Sequence, residues 1–146
     1  MNKKFKRTLL GLSIISFSMI YTFFIEPNWL DVTHHKIQIG PTSKIIKIAQ
    51  ISDLHTKGLG YLERTLIEKL NKEKPDAIFI TGDLATPGGT AKGYSDVLKK
   101  FKAPLGVYFI TGNWEEWEPI PELSKILIEA DIVNLTNQKK LIAEKL

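Results

Sequence analysis

One phrase recurs along the chain at intervals of about thirty residues. Ile48-Ala49-Gln50-Ile51-Ser52-Asp53-Leu54-His55 is followed by Ile78-Phe79-Ile80-Thr81-Gly82-Asp83, and then by Tyr108-Phe109-Ile110-Thr111-Gly112-Asn113. Each copy is a short apolar run rich in β-branched and aromatic residues, closed by a carboxylate or an amide. Runs of this kind are best satisfied by strands buried on both faces. Three of them at equal spacing, with helical pattern between, predict a parallel α/β sheet. Asp53, His55, Asp83 and Asn113 then leave the carboxyl edge of that sheet, where such folds place their ligands.

The intervening segments support this. Leu62, Leu66 and Leu70, with Ile67, share one face of a helix that must stop before Pro75, whose ring disfavours helical geometry at Lys74. Tyr94, Val97, Leu98 and Phe101 stand at i, i+3, i+4 and i+7 of a second helix. A third opens near Pro121 and buries Leu123, Ile126, Leu127 and Ala130. The strands are predicted over 45–52, 77–81 and 106–110, with 132–135 suited to a fourth. Thr86-Pro87-Gly88-Gly89-Thr90 reads as a mobile loop at the mouth of the site. The order βαβαβα is legible, with helices expected on the faces of the sheet; the order of strands across it is not.

Before the sheet, Thr8 to Ile25 is uncharged for eighteen residues, about 27 Å of helix and enough for a bilayer core. Lys3, Lys4, Lys6 and Arg7 precede it, and Glu26 and Asp31 follow. The positive-inside bias predicts a cytoplasmic basic segment over 1–7, a single-pass signal anchor over 8–25 in the cell membrane and an extracytoplasmic domain. A cleaved signal peptide is the rival, but Phe23, Phe24, Ile25 and Glu26 offer no small-residue cleavage site. Residues 26–44 form a connector in which Thr33 to Ile39 resembles a short strand stopped by Gly40-Pro41. His34 and His35 would point to opposite faces there, so they read as surface residues rather than ligands of one ion. The net charge of +4 resides in the basic segment, and sixteen residues of each sign remain for the rest. That balance gives no footprint for a nucleic-acid partner, and the absence of cysteine excludes disulfides and thiolate ligands.

The donor set is one of hard oxygens and an imidazole, which suits a divalent metal. If the chain stays extended at Asp53-x-His55, both side chains share a direction and can hold one ion. Asp83 has two oxygens with which to bridge to a second ion, Gly82 lets the backbone turn without filling the pocket, and Asn113 offers a neutral oxygen. Two ions about 3.5–4 Å apart would clamp a phosphate and generate hydroxide near neutral pH. Singly, these features are ordinary turn and cap residues; an acid or amide directly after each buried strand is not.

Together Asp53-x-His55, Gly82-Asp83 and Gly112-Asn113 resemble the first three signature blocks of the calcineurin-like metallophosphoesterase family. Glu26-Pro27-Asn28-Trp29 and Val32-Thr33-His34, leading into Gln50 to His55, are similar to its membrane-anchored branch. The resemblance runs over about 26–135. It implies a β-sandwich flanked by helices and two divalent ions (manganese, iron or zinc), with Asp53 and His55 on the first, Asp83 bridging and Asn113 on the second. It further implies hydrolysis of a phosphomonoester, phosphodiester or pyrophosphate by a metal-activated hydroxide. The substrate would be a phosphorylated small molecule or a glycolipid headgroup.

Two departures qualify this. The family's third block continues with histidine; here it is Trp114 followed by Glu115, expected at the substrate, and indole has no transferable proton at physiological pH. The family's later histidines also have no counterpart, since none follows His55. Over 45–146 the chain therefore reads as the first half of a metallophosphoesterase-type sandwich, apparently truncated, binding one ion or binding weakly. The alternative function is a catalytically weak or inactive membrane-tethered metal-binding or interaction domain.

Overall fold

The structure, a computed structural model, describes residues 2–38, 40 and 45–142. It contains two compact units, 1–36 and 37–146.

The first unit is built on helix α1 (Lys3–Ile20), continued by one π turn (Tyr21–Ile25) and a 3-10 turn (Glu26–Asn28). It starts ahead of the uncharged run because Asn2 caps it, its side chain accepting the Lys4 N–H at 3.2 Å. Thr8 and Ser13 donate their hydroxyls to the carbonyls of Lys4 and Leu9 four residues back, so these two hydroxyls are satisfied within the helix. Lys3–Asn28 is long and apolar enough to cross a membrane, with a mean hydropathy of 1.9 in its best window. The short strand expected at 33–39 does not form over its described residues 33–38, which join no ladder among the described residues. Ile39 and Pro41 lie outside the described residues.

In the second unit, β1 (Ile48–Ile51), β2 (Ala77–Thr81), β3 (Val107–Ile110) and β4 (Ile132–Asn134) form an all-parallel sheet in the order β1-β2-β3-β4. The connections carry α2 (Tyr61–Glu73), α3 (Ala91–Leu98), and α4 (Asn113–Trp117) with α5 (Leu123–Glu129). The first strand is shorter than expected. β2 begins only at Ala77, so Lys47 turns its N–H to the Asp76 side chain at 2.7 Å instead of joining a ladder.

Because every crossover steps the same way across the sheet, a constant right hand places all the helices on one face. Burial agrees. Ile51, Ile78, Ile80, Val107, Phe109 and Ile132 alternate onto one face and are buried, and α3 packs on α5 above it. On the opposite face Gln50, Phe79, Tyr108 and Val133 stand in register. Phe79 and Tyr108 stack at 5.4 Å, while Ile48 and Ile110 at its margin remain 53% and 41% exposed. The expectation of helices on both faces is thus corrected by the strand order.

Helix α2 ends ahead of Pro75 as expected, with Lys74 in the left-handed conformation. Helix α3 stops at Leu98, short of Phe101, which is still fully buried because a tight turn (Phe101 N–H to Leu98 O, 3.0 Å) carries it back over the sheet. Helix α5 begins two residues beyond Pro121, and Ala130 closes it as its C-cap.

Candidate metal centre

Three of the expected ligands share one unusual property. Asp53, His55 and Asp83 all have positive φ, at 55°, 47° and 52°. A non-glycine residue occupies this region at some cost, and Asp, Asn and His tolerate it best. The conditional expectation of an extended Asp53-x-His55 is therefore corrected: the chain coils at each of the two residues. The turns are held by a continued, irregular ladder. The N–H groups of Asp53, His55 and Thr56 donate to the carbonyls of Gly82, Asp83 and Leu84 at 3.3, 3.0 and 2.9 Å, and Thr86 N–H returns to Thr56 O at 3.0 Å. The Thr86 hydroxyl donates to His55 O, and Tyr94 donates its hydroxyl to Thr86 O at 2.7 Å.

The result is convergence. One ligand atom from each of Asp53, His55 and Asp83 lies within 4.8 Å of the others. His55 Nε2 stands 4.0 Å from Asp83 Oδ2, and the Ser52 hydroxyl donates to Asp53 Oδ2. Asp83 is the most enclosed of the three, its side chain 13% exposed against 41% for His55. Two carboxylates and an imidazole with open solvent on one side form a donor set that fits a divalent cation and leaves positions for water or a ligand.

The end of β2 and the start of α4 meet at two glycines. Gly82 has φ 93°, and a Cβ there would lie 2.6 Å from Gly112 Cα; a Cβ on Gly112 would overlap the Asp83 carboxylate. With both side chains absent, Asp83 Oδ1 accepts the backbone N–H of Trp114 at 2.9 Å. Glu115 returns the favour. One of its oxygens accepts the N–H groups of Asp83 and Gly112 at 2.9 and 2.8 Å, and the other accepts that of Leu84 at 2.7 Å.

Asn113 is the first residue of α4 and is exposed, set between the two residues that touch Asp83. Trp114 meets the His55 ring edge-on at 5.5 Å and tilts against Trp117 at 6.5 Å; its indole N–H is buried without a hydrogen-bond partner among the described residues. Glu115, expected at the substrate, is only 6% exposed and directs both oxygens into the backbone. Sequence reading missed α4 and the bracing role of this carboxylate, although a signal existed: Gly112-x-x-Glu115 repeats Gly60-x-x-Glu63. At Glu63 a buried glutamate likewise accepts the N–H of its helix's leading glycine, at 2.9 Å, and reaches back to the ladder through the Thr56 hydroxyl at 2.7 Å. His34 and His35 are exposed and lie in the other unit.

A parallel sheet whose strand ends deliver an Asp-x-His, a Gly-Asp and a Gly-Asn to one edge defines a phosphoesterase-type metal fold. Residues 46–143 match the calcineurin-like phosphoesterase family, and the chain belongs to it. It is 34% identical over 105 residues to the uncharacterized metallophosphoesterase YkuE of Bacillus subtilis, covering 64% of this chain and 35% of that protein. Similarity to the uncharacterized metallophosphoesterase Cj0846 of Campylobacter jejuni is 30% over 147 residues, 96% of this chain and 38% of the relative. A second Bacillus subtilis metallophosphoesterase, YkoQ, is 30% identical over 142 residues, 89% of this chain and 52% of its own length. The chain thus spans between about a third and a half of these relatives. No solved structure matches it. The family uses divalent metals, and Asp53, His55 and Asp83 provide a candidate site for one.

Proposed function

We propose that this chain carries the first half of the catalytic centre of a membrane-anchored, metal-dependent phosphoesterase. The observation that carries the reading is the approach of Asp53, His55 and Asp83 donor atoms to within 4.8 Å at the carboxyl edge of the sheet. In this reading Asp53, His55 and Asp83 would hold a divalent ion (manganese, iron or zinc), and Asp83 with Asn113 would serve a second. The Trp114 N–H bond to Asp83 Oδ1 holds the carboxylate with Oδ2 facing His55. A divalent ion bound there supplies Lewis acidity and a hydroxide nucleophile near neutral pH. The protein's own contribution is positional: the ladder fixes the backbone of Asp53 and His55, and Trp114 packs at right angles against the imidazole.

The substrate is a phosphorylated small molecule or a lipid-linked headgroup. A cleft of about 310 Å³ between Pro87-Gly88-Gly89 and Glu118 to Glu122 has space for its organic part. Both walls leave the site directly, Pro87 four residues after Asp83 and Glu118 next after α4. The anchor is the Lys3–Asn28 helix, with the basic end cytoplasmic and the sheet unit on the far side.

A second reading, a membrane-tethered binding module without turnover, is favoured by Trp114 standing where the family has histidine. Hydrolysis of bis-p-nitrophenyl phosphate with added manganese separates the two. The esterase reading expects metal-dependent turnover that falls at least about a hundredfold in Asp83→Asn. Equal rates for the two proteins, with manganese bound to wild type by calorimetry, leave only the binding module.

A further inference from the structure

Glu115 is a negative charge nine-tenths enclosed with no cationic partner among the described residues. Such a group is costly unless its oxygens are fully engaged. They are engaged by three backbone N–H groups, and these come from both sides of the site: Asp83 and Leu84 at the exit of β2, Gly112 at the entry to α4. Asp83 completes the exchange by accepting the Trp114 N–H. Each carboxylate therefore caps the backbone turn that carries the other.

The partners of this exchange matter more than their number. Asp83 sits at φ 52° behind a glycine at φ 93°, a backbone that does not hold itself. The Gly82–Gly112 approach leaves no side chain there to brace it. The Glu115 carboxylate supplies the brace from the third block. Since its reach spans both turns, it also sets the separation between Asp83 and the residue it brackets, Asn113.

We propose that Glu115 is a positioning residue that locks the Asp83 turn to the start of α4, so that the ligands of the second and third blocks form one preorganised unit before any metal arrives. The carboxylate touches neither substrate nor metal; it acts through the backbone of Asp83 and Gly112. This rests on the metal-site reading above for its functional consequence, but its structural content is independent of that reading.

The test compares wild type with Glu115→Gln, which keeps size while replacing one acceptor oxygen by a donor, and with Val97→Ala, a core change on α3 remote in sequence from the site. Amide hydrogen exchange is read in metal-free protein at the Trp114 N–H, whose acceptor is Asp83 and not Glu115. Protection there is expected to fall at least about tenfold in Glu115→Gln and to stay unchanged in Val97→Ala apart from global opening. Unchanged Trp114 protection in Glu115→Gln overturns the proposal. Manganese titration by calorimetry, well below the melting temperature, is expected to show affinity weakened about 10–100-fold in Glu115→Gln only. Equal weakening in Val97→Ala would reduce Glu115 to an ordinary stabilising residue and also overturn it. If wild type binds no manganese, the metal reading fails and the exchange result alone decides the role of Glu115.

Discussion

Gly82 and Gly112 cross at a separation that only two hydrogens permit. A methyl group on Gly82 would stand 2.6 Å from the Gly112 Cα and 2.8 Å from its nitrogen. Through this crossing the end of β2 meets the start of α4, and the Asp83 carboxylate comes within reach of the Trp114 N–H.

Gly82→Ala is therefore expected to be costly. The substitution adds the strain of a side chain at φ 93° to a clash with backbone that cannot rotate aside. A loss of about 2–4 kcal/mol in urea unfolding is expected. Gly88→Ala is the contrast, since its φ is similar at 92° but nothing lies within 4 Å of the added Cβ. It should lose only about 1 kcal/mol.

Trp114 gives a prediction about leaving groups, resting on the esterase reading. Its indole cannot protonate a departing alkoxide, so turnover should depend steeply on how well the leaving group departs unaided. Wild type should cleave p-nitrophenyl esters and nearly spare alkyl esters of the same phosphate. Trp114→His should narrow that ratio by about a hundredfold or more, the usual range of general-acid assistance. An unaltered ratio, with rates measured side by side on both esters, would remove Trp114 from the protonation question.

The amino-terminal helix yields a prediction about location. Ile15 lies mid-helix and is 56% exposed, as a lipid-facing residue would be. Ile15→Arg should raise the insertion free energy by about 3 kcal/mol. Carbonate extraction of membranes should then release a substantial share of the variant and little of wild type. Equal retention would show that the helix is not what holds the protein there.

Much of the centre was legible from spacing alone. Asp53, His55 and Asp83 are named by the way each apolar run ends, and a parallel strand has one direction, so three such runs must deliver their ends to one edge. Less legible was how the side chains converge. An extended Asp-x-His aligns alternate residues by its pleat, whereas here the turns at Asp53 and His55 are imposed by hydrogen bonds to Gly82 and Asp83, about thirty positions away. The role of Glu115 was hidden for the same reason: a glutamate near a helix start is ordinarily solvated, and only the Gly82–Gly112 crossing encloses it.

The sequence by itself determined the alternation of strands and helices, the apolar amino-terminal helix and the identity of the metal-type donors, because each follows from local periodicity and residue chemistry. Tertiary structure alone decided the strand order, the single helix-covered face, the left-handed turns at Asp53, His55 and Asp83, and the exchange of hydrogen bonds between Asp83 and Glu115. Those depend on which distant backbone groups face one another. A linear chain specifies that only through the free energy of the whole fold.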